Sequence, residues 1–130
     1  MPERGRWPAG AVALLKWPMG DDGRIASAVG DLGYAGLVIE GMGAGHVPAD
    51  AAARLGPVAA RIPVVLASRA MTGPVFTRTY GYPGGEIDLL DRGLVPAGYL
   101  SGLKARLLLG LVLRPGASRA DVKSAFAAYQ

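Results

Sequence analysis

Three short apolar runs divide the first half of the chain, and each one ends at a glycine, a proline or a polar residue. They cover residues 11–15, 37–39 and 64–67. Runs of this length between turn-forming residues are typical of buried β-strands. The pattern therefore predicts three strands of a parallel sheet, with both faces of the sheet covered.

Helical patterns fill the intervals between these strands. The first helix is expected over residues 23–34, because Asp21 and Asp22 can cap the amides at its start and Gly33 is a natural stop. The second helix is expected to have Pro48 in its first turn.

The second helix also has an apolar stripe at helical spacing. Its members are Leu55, Val58, Ala59 and Ile62. Gly56 and Pro57 are expected to kink this helix. Two strand–helix–strand units in succession predict one parallel sheet with helices on its faces.

The second half begins with a long irregular stretch, which runs from the end of the third strand through Gly85. It is rich in glycine and proline and too long for a neutral connector, so we expect it to be functional or mobile. A short helix over residues 87–92 and a brief fourth strand over residues 95–98 are predicted to follow.

Two further helices are predicted to complete the chain. The first is capped by Ser101, and its leucine stripe is expected to make it mostly interior. That stripe consists of Leu103, Leu107 and Leu111, with Leu108 and Val112 beside them. The last helix begins at Ser118, with Asp121 at the spacing of a capping box. Its expected core face is Val122, Ala125, Phe126 and Tyr129.

The predicted fold class is α/β, with a small open, mainly parallel sheet of about four strands between layers of helices. A chain of 130 residues fits one domain. We assign residues 11–130 to this domain and residues 1–10 to an N-terminal extension or linker remnant.

Composition removes several classes of function. The chain has no cysteine, which excludes a thiolate nucleophile and a zinc–thiolate site. The net charge is +4, but the basic residues form no run, so a solvated surface is favoured over a nucleic-acid groove. No apolar run reaches about 20 residues, and no signal-peptide pattern is present, so a soluble cytoplasmic protein is expected.

The most distinctive motif is Gly41-Met42-Gly43-Ala44-Gly45-His46, which follows the second strand. Ligands of open α/β sheets bind at the carboxyl ends of strands, so this loop is well placed for binding. A dinucleotide site is disfavoured because His46 stands where the third glycine of that motif belongs. A phosphate-binding P-loop is also disfavoured, since no glycine-rich loop here ends in Gly-Lys-Ser or Gly-Lys-Thr.

Few side chains suggest catalysis from sequence alone. His46 is the only histidine, which excludes a multi-histidine metal site and favours a surface or capping role. Glu86 and Asp88 lie in a glycine-flanked segment, where acidic groups are usually just solvated. A catalytic triad of the Ser, His, Asp type could be assembled from Ser68, His46 and Asp88. However, no Gly-x-Ser-x-Gly elbow surrounds any serine, so this set is not specific.

Three segments together resemble the C-terminal domain of bacterial L-asparaginases. They are residues 36–48, which contain the glycine-rich motif, residues 62–69, and residues 93–98 followed by Lys104-Ala105-Arg106. The resemblance extends from about Ala11 to Tyr129. In that family the catalytic threonines belong to a larger N-terminal domain, in motifs of the types Thr-Gly-Gly-Thr and Gly-Thr-Asp-Thr, and neither occurs here.

The resemblance implies a supporting role in amide hydrolysis, which needs no metal or organic cofactor. The domain would pack in a homo-oligomer, a dimer or tetramer, and complete the active site of a neighbouring subunit. His46 matches the second Asn of the family's Gly-Asn-Gly-Asn loop, and Ala44 replaces the first. Glu86 is the nearest match to a Glu that holds the α-amino group of the substrate.

Two hypotheses follow. In the first, the chain is an amidohydrolase domain that is inactive without an N-terminal catalytic partner and acts on a small amino-acid amide. In the second, it is a stand-alone module that binds a small ligand or another protein and does no catalysis. The resemblance does not separate asparagine from glutamine as the substrate.

Overall fold

The computed structural model of the protein describes residues 11–113 and 117–130. The predicted extension over residues 1–10 lies outside the described residues. The strands are β1 (Val12–Lys16), β2 (Gly36–Gly41), β3 (Val64–Ser68) and β4 (Val95–Pro96). The helices are α1 (Arg24–Ala28), α2 (Ala49–Arg61), α3 (Glu86–Asp91), α4 (Gly102–Val112) and α5 (Arg119–Ala127).

The four strands form one parallel sheet in the order β1-β2-β3-β4. Val38 at its centre pairs with Leu14 on one side and with Val65 on the other. Gly41 pairs with Ser68, so the carboxyl ends of β2 and β3 lie side by side. The predicted α/β class and the parallel sheet are confirmed.

Each face of the sheet has its own apolar core, because side chains along a strand alternate between faces. Leu37 and Ile39 pack with Leu55 of α2 and Leu89 of α3. The intervening Val38 belongs to a second core, which includes Val65 and Val95 of the sheet and Leu109, Val122 and Phe126 of α4 and α5. The sheet is therefore sandwiched between helices, as its continuous apolar strands predict.

The first helix is much shorter than the prediction over residues 23–34. α1 ends at Ala28, and the chain continues through turns in which Leu32 N–H donates to the Ala28 carbonyl. Gly30 weakens a helix interior by about 1 kcal/mol relative to alanine, which favours early termination. The N-cap position is occupied by Gly23, which offers no side-chain cap, but Asp22 Oδ1 accepts from the N–H of Arg24, the first helical residue (3.1 Å), and Asp21 Oδ1 accepts from Gly23 N–H (2.6 Å).

The expectation that α4 is mostly interior is wrong. Leu103, Leu107 and Leu111 are 63–67% exposed. The helix instead turns Ala105 and Leu109 towards the sheet, and both are fully buried. Because α4 is apolar on more than one side, its pattern alone does not select the buried face, and the small Ala105 allows the close approach.

Two smaller differences occur near the end of the chain. β4 stops at Pro96 instead of continuing to residue 98. Ala97 N–H still donates to the Leu66 carbonyl (2.8 Å), but Gly98 has φ 62°, which is incompatible with an extended strand. In α5 the capping box between Ser118 and Asp121 is present and Phe126 is buried, but Tyr129 is 41% exposed and does not belong to the core face.

Along the part of the chain that the structure describes, no helix combines the length and hydropathy needed to cross a bilayer.

Candidate functional site

The glycine-rich loop, residues 41–46, leaves the carboxyl end of β2 and folds back on itself. Met42 N–H donates to the His46 carbonyl (2.7 Å), and His46 N–H donates to the Met42 carbonyl (2.8 Å). Gly45 has φ 107°, and a Cβ there would lie 2.9 Å from Val75 Cγ1, so only glycine fits. The tight turn fixes the position from which the His46 side chain projects.

The long loop, residues 69–85, has no helix or strand and lies against the glycine-rich loop. Phe76 N–H donates to the Ala44 carbonyl (3.0 Å), and Val47 N–H donates to the Gly84 carbonyl (3.0 Å). These bonds hold the two loops together at the carboxyl edge of the sheet. That this stretch is functional or mobile stays a prediction.

Glu86, the first residue of α3, binds the backbone of the long loop through its side chain. Its side chain is fully buried, so the interpretation of Glu86 as a solvated loop acid is wrong. Its Oε1 accepts hydrogen bonds from the backbone N–H groups of Thr79 (2.8 Å) and Tyr80 (2.7 Å). Burial alone would raise the pKa of Glu86, but these bonds and that with His46 outweigh it, so the pKa lies below its ordinary value.

His46 connects this buried carboxylate to the surface. Its Nε2 lies 3.0 Å from Glu86 Oε2, and its Nδ1 lies 2.6 Å from the hydroxyl of Tyr82. The imidazole also makes edge contacts with the rings of Tyr80 and Tyr82, at centroid distances of 5.1 and 5.4 Å. Both ring nitrogens therefore have partners, and the ring orientation is fixed from several sides.

An open groove of about 700 Å³ lies above His46. This volume is within the range of about 300–1,000 Å³ that is usual for small-ligand sites. The groove is lined by the glycine-rich loop and by aromatic side chains of the long loop, namely Phe76, Tyr80 and Tyr82. Its position at the carboxyl ends of parallel strands is where open α/β sheets bind their ligands.

The triad drawn from sequence does not assemble. Ser68 Oγ donates to the Gly43 carbonyl, and Asp88 accepts from Gly84 N–H (2.8 Å) and from Arg92 Nε (3.0 Å). The His46 side chain bonds to Glu86 and Tyr82 instead. Asp88 therefore ties the end of the long loop to α3, and His46 pairs with Glu86.

Across residues 11–113 and 117–130, no three His, Asp or Glu side chains form a group suited to a metal ion.

Residues 11–126 match the Glutaminase/Asparaginase C-terminal domain family. The chain belongs to this family. It is 44% identical over 93 residues to a probable L-asparaginase of Deinococcus radiodurans, an alignment that covers 70% of this chain and 27% of the relative. It is 32% identical over 107 residues to an L-asparaginase of Bacillus licheniformis, which covers 82% of this chain and 33% of the relative.

The fold of this asparaginase C-terminal domain is also found in a solved structure. It superposes on the probable cytoplasmic L-asparaginase of Campylobacter jejuni with a TM-score of 0.73 and 26% identity. The match covers 91% of this chain and 35% of the other. The chain thus spans about a third of the length of these relatives.

The structure brings His46 and Glu86 into contact, although they are 40 residues apart in sequence. Sequence reasoning did not identify Tyr82, or the loop amides of Thr79 and Tyr80. A signal for the aromatic residues was present, because Phe76, Tyr80 and Tyr82 are concentrated in a glycine- and proline-rich loop. Loops on a rigid scaffold often carry binding residues, so these aromatic side chains were candidates for a binding surface.

Proposed function

We propose that this chain is the C-terminal domain of an L-asparaginase-type amidohydrolase, which converts L-asparagine to L-aspartate and ammonia. Membership of the family and the groove beside His46 support this function. In the proposed enzyme an N-terminal catalytic domain supplies the threonine nucleophile. The present domain supplies groups that line the site and is inactive alone.

The observation that carries the proposal is the placement of His46. From the resemblance, His46 matches the second Asn of the family's glycine-rich loop, and in the structure it lines the open groove and pairs with Glu86. Imidazole, like an amide side chain, can donate one hydrogen bond and accept another. We propose that His46 contributes to the active site in place of that Asn.

A direct contact between Glu86 and the substrate's α-amino group stays a prediction. In the present arrangement the Glu86 carboxylate is fully buried and is bonded to His46 and to the long loop. A direct contact would require His46 to move aside. The geometry favours an influence of Glu86 on the ligand through His46.

Assembly into a homo-oligomer, completion of a neighbouring subunit's site and cytoplasmic location are also proposals. The exposed side of α4 supports assembly, because Leu103 and Leu107 place a substantial apolar surface in solvent. The description of the Campylobacter jejuni relative as cytoplasmic supports the location.

The test is ammonia release from L-asparagine by the 130-residue chain, alone and mixed with the remaining part of the Deinococcus radiodurans relative. We expect activity only in the mixture. Activity of the chain alone would contradict the missing nucleophile. His46→Ala is expected to lower activity in the mixture, whereas Met71→Ala, at an almost fully exposed position of the long loop, is the matched control.

The second candidate is a stand-alone module that binds a small ligand without catalysis. It is favoured by the groove, because its volume and its aromatic lining of Phe76, Tyr80 and Tyr82 suit a small ligand. Calorimetric binding of L-asparagine or L-aspartate by the isolated monomer, with no ammonia release from the mixture, would support this function over the first.

A further inference from the structure

The side chains of Glu86, His46 and Tyr82 form a continuous hydrogen-bond relay from the interior to the groove. Their side chains become steadily more exposed along it. Glu86 is fully buried, the His46 side chain is 18% exposed, and Tyr82 is 50% exposed. Tyr82 is therefore the member of the relay that presents most surface to a ligand.

The direction of each bond follows from the chemistry of the two ends. The lowered pKa of Glu86 keeps its carboxylate ionised near neutral pH, and an ionised carboxylate only accepts hydrogen bonds. His46 Nε2 must therefore carry a proton, and this N–H group donates a hydrogen bond to Glu86 Oε2. When the imidazole is neutral, Nδ1 has a free lone pair, so the Tyr82 hydroxyl donates to Nδ1.

The Tyr82 oxygen is then left with only its lone pairs for a ligand. Because both bonds of the relay point towards the buried carboxylate, each polarises the next and strengthens this oxygen as an acceptor. The aromatic faces of Phe76 and Tyr80 line the same groove and favour a compact cation. An N–H donor that carries positive charge suits this surface best.

We propose that Tyr82 is a ligand-binding residue whose oxygen accepts a hydrogen bond from an ammonium-type N–H group, with His46 and Glu86 as positioning residues that fix its direction. The ligand class is a small molecule with such a group. The inference rests on the proposed function only in identifying that molecule with an amino-acid amide.

The first test is the tautomer of His46, measured by nitrogen NMR of the labelled chain at mildly alkaline pH. As the only histidine, His46 gives one unambiguous set of ring signals. We expect a protonated Nε2 and an accepting Nδ1. Tyr82→Phe, which keeps the ring, should shift the Nδ1 signal, whereas Tyr99→Phe, another exposed tyrosine, should leave it unchanged. A proton on Nδ1, or a Nδ1 signal indifferent to Tyr82→Phe, would overturn the relay.

The second test uses ammonium chloride as the probe and tetramethylammonium chloride, which has no N–H group, as its match at equal ionic strength. We expect a saturable shift of the His46 Nδ1 signal with ammonium only, and its loss in Tyr82→Phe. Equal shifts with both salts would indicate contact with the aromatic faces instead, and no shift with ammonium would remove the acceptor role. Either result refutes the proposal.

Neither measurement depends on catalysis. If the relay and ammonium binding are observed but the assembled protein releases no ammonia, the proposed function fails and Tyr82 remains a binding residue. If ammonia is released but the ammonium response is absent, the proposed function stands and the role of Tyr82 is wrong.

Discussion

Replacing Glu86 by glutamine changes little in shape and removes the charge at the centre of the site. The carboxylate accepts three hydrogen bonds, from Thr79 N–H, Tyr80 N–H and His46 Nε2. A glutamine carbonyl can still accept from the two backbone amides, but its NH₂ group then faces the Nε2–H of His46. The Nε2–H of His46 then loses its partner, unless the imidazole proton moves to Nδ1 and the half-exposed Tyr82 hydroxyl turns to accept from it.

The size of the effect follows from these bonds. An unsatisfied buried donor costs about 1–3 kcal/mol, and each bond to a charged acceptor is about 1 kcal/mol stronger than its neutral counterpart. Glutamine avoids the cost of burying a charge, which offsets part of the loss. We therefore expect Glu86→Gln to lower the free energy of unfolding by about 1–3 kcal/mol, a large share of the roughly 5–15 kcal/mol typical of a domain.

Urea unfolding followed by circular dichroism at neutral pH measures this difference. Asp91→Asn is the matched control, because Asp91 is an exposed acid at the other end of the same short helix. Its effect should stay within about 0.5 kcal/mol, as is usual for surface positions. If Glu86→Gln is equally mild, the Glu86 carboxylate does not hold the long loop in the way argued above.

The same pair of variants gives a pH dependence. The pKa of Glu86 lies below its ordinary 4.5 in the folded chain, so its contribution is present above that pH and is lost as the pH falls through the folded pKa. Below pH 4.5 the stability of the wild-type chain should therefore fall more steeply than that of Glu86→Gln. Equal slopes for the wild-type chain and Glu86→Gln would contradict the assignment.

Further substitutions test the packing and the local turns by the same unfolding assay. Leu109→Ala should cost about 2–5 kcal/mol because Leu109 is fully buried, whereas Leu107→Ala, on the exposed side of α4, should cost well under 1 kcal/mol. Equal costs would contradict the observed orientation of the helix. Gly45→Ala should lose about 1–3 kcal/mol through its positive φ and the clash with the long loop, whereas Gly43→Asn, with open space around its Cβ, should be tolerated. Ser118→Ala should cost about 1 kcal/mol by removing the cap of α5, and no change would mean that this cap is replaced by water.

The layered fold follows from the pattern of apolar residues along the chain. Apolar strands of a few residues, separated by helical patterns, predict a parallel sheet covered on both faces, because a strand without polar positions has no face for water. Val38 and Leu37 bear this out, since they are fully buried on opposite faces. Local chemistry also sufficed for the cap at Ser118, whose bonds involve residues three positions apart.

The buried face of α4 and the hydrogen bonds of the site depend on long-range packing. A helix that is apolar on several sides has no unique inward face, so its pattern does not show that the leucine stripe of α4 faces solvent. The relay from Glu86 to Tyr82 depends on two loops that meet only when β2 and β3 pair, and Glu86 lies 40 residues from His46. Sequence patterns record periodicity over neighbouring residues, whereas the burial of Glu86 and the direction of its bonds arise from long-range packing.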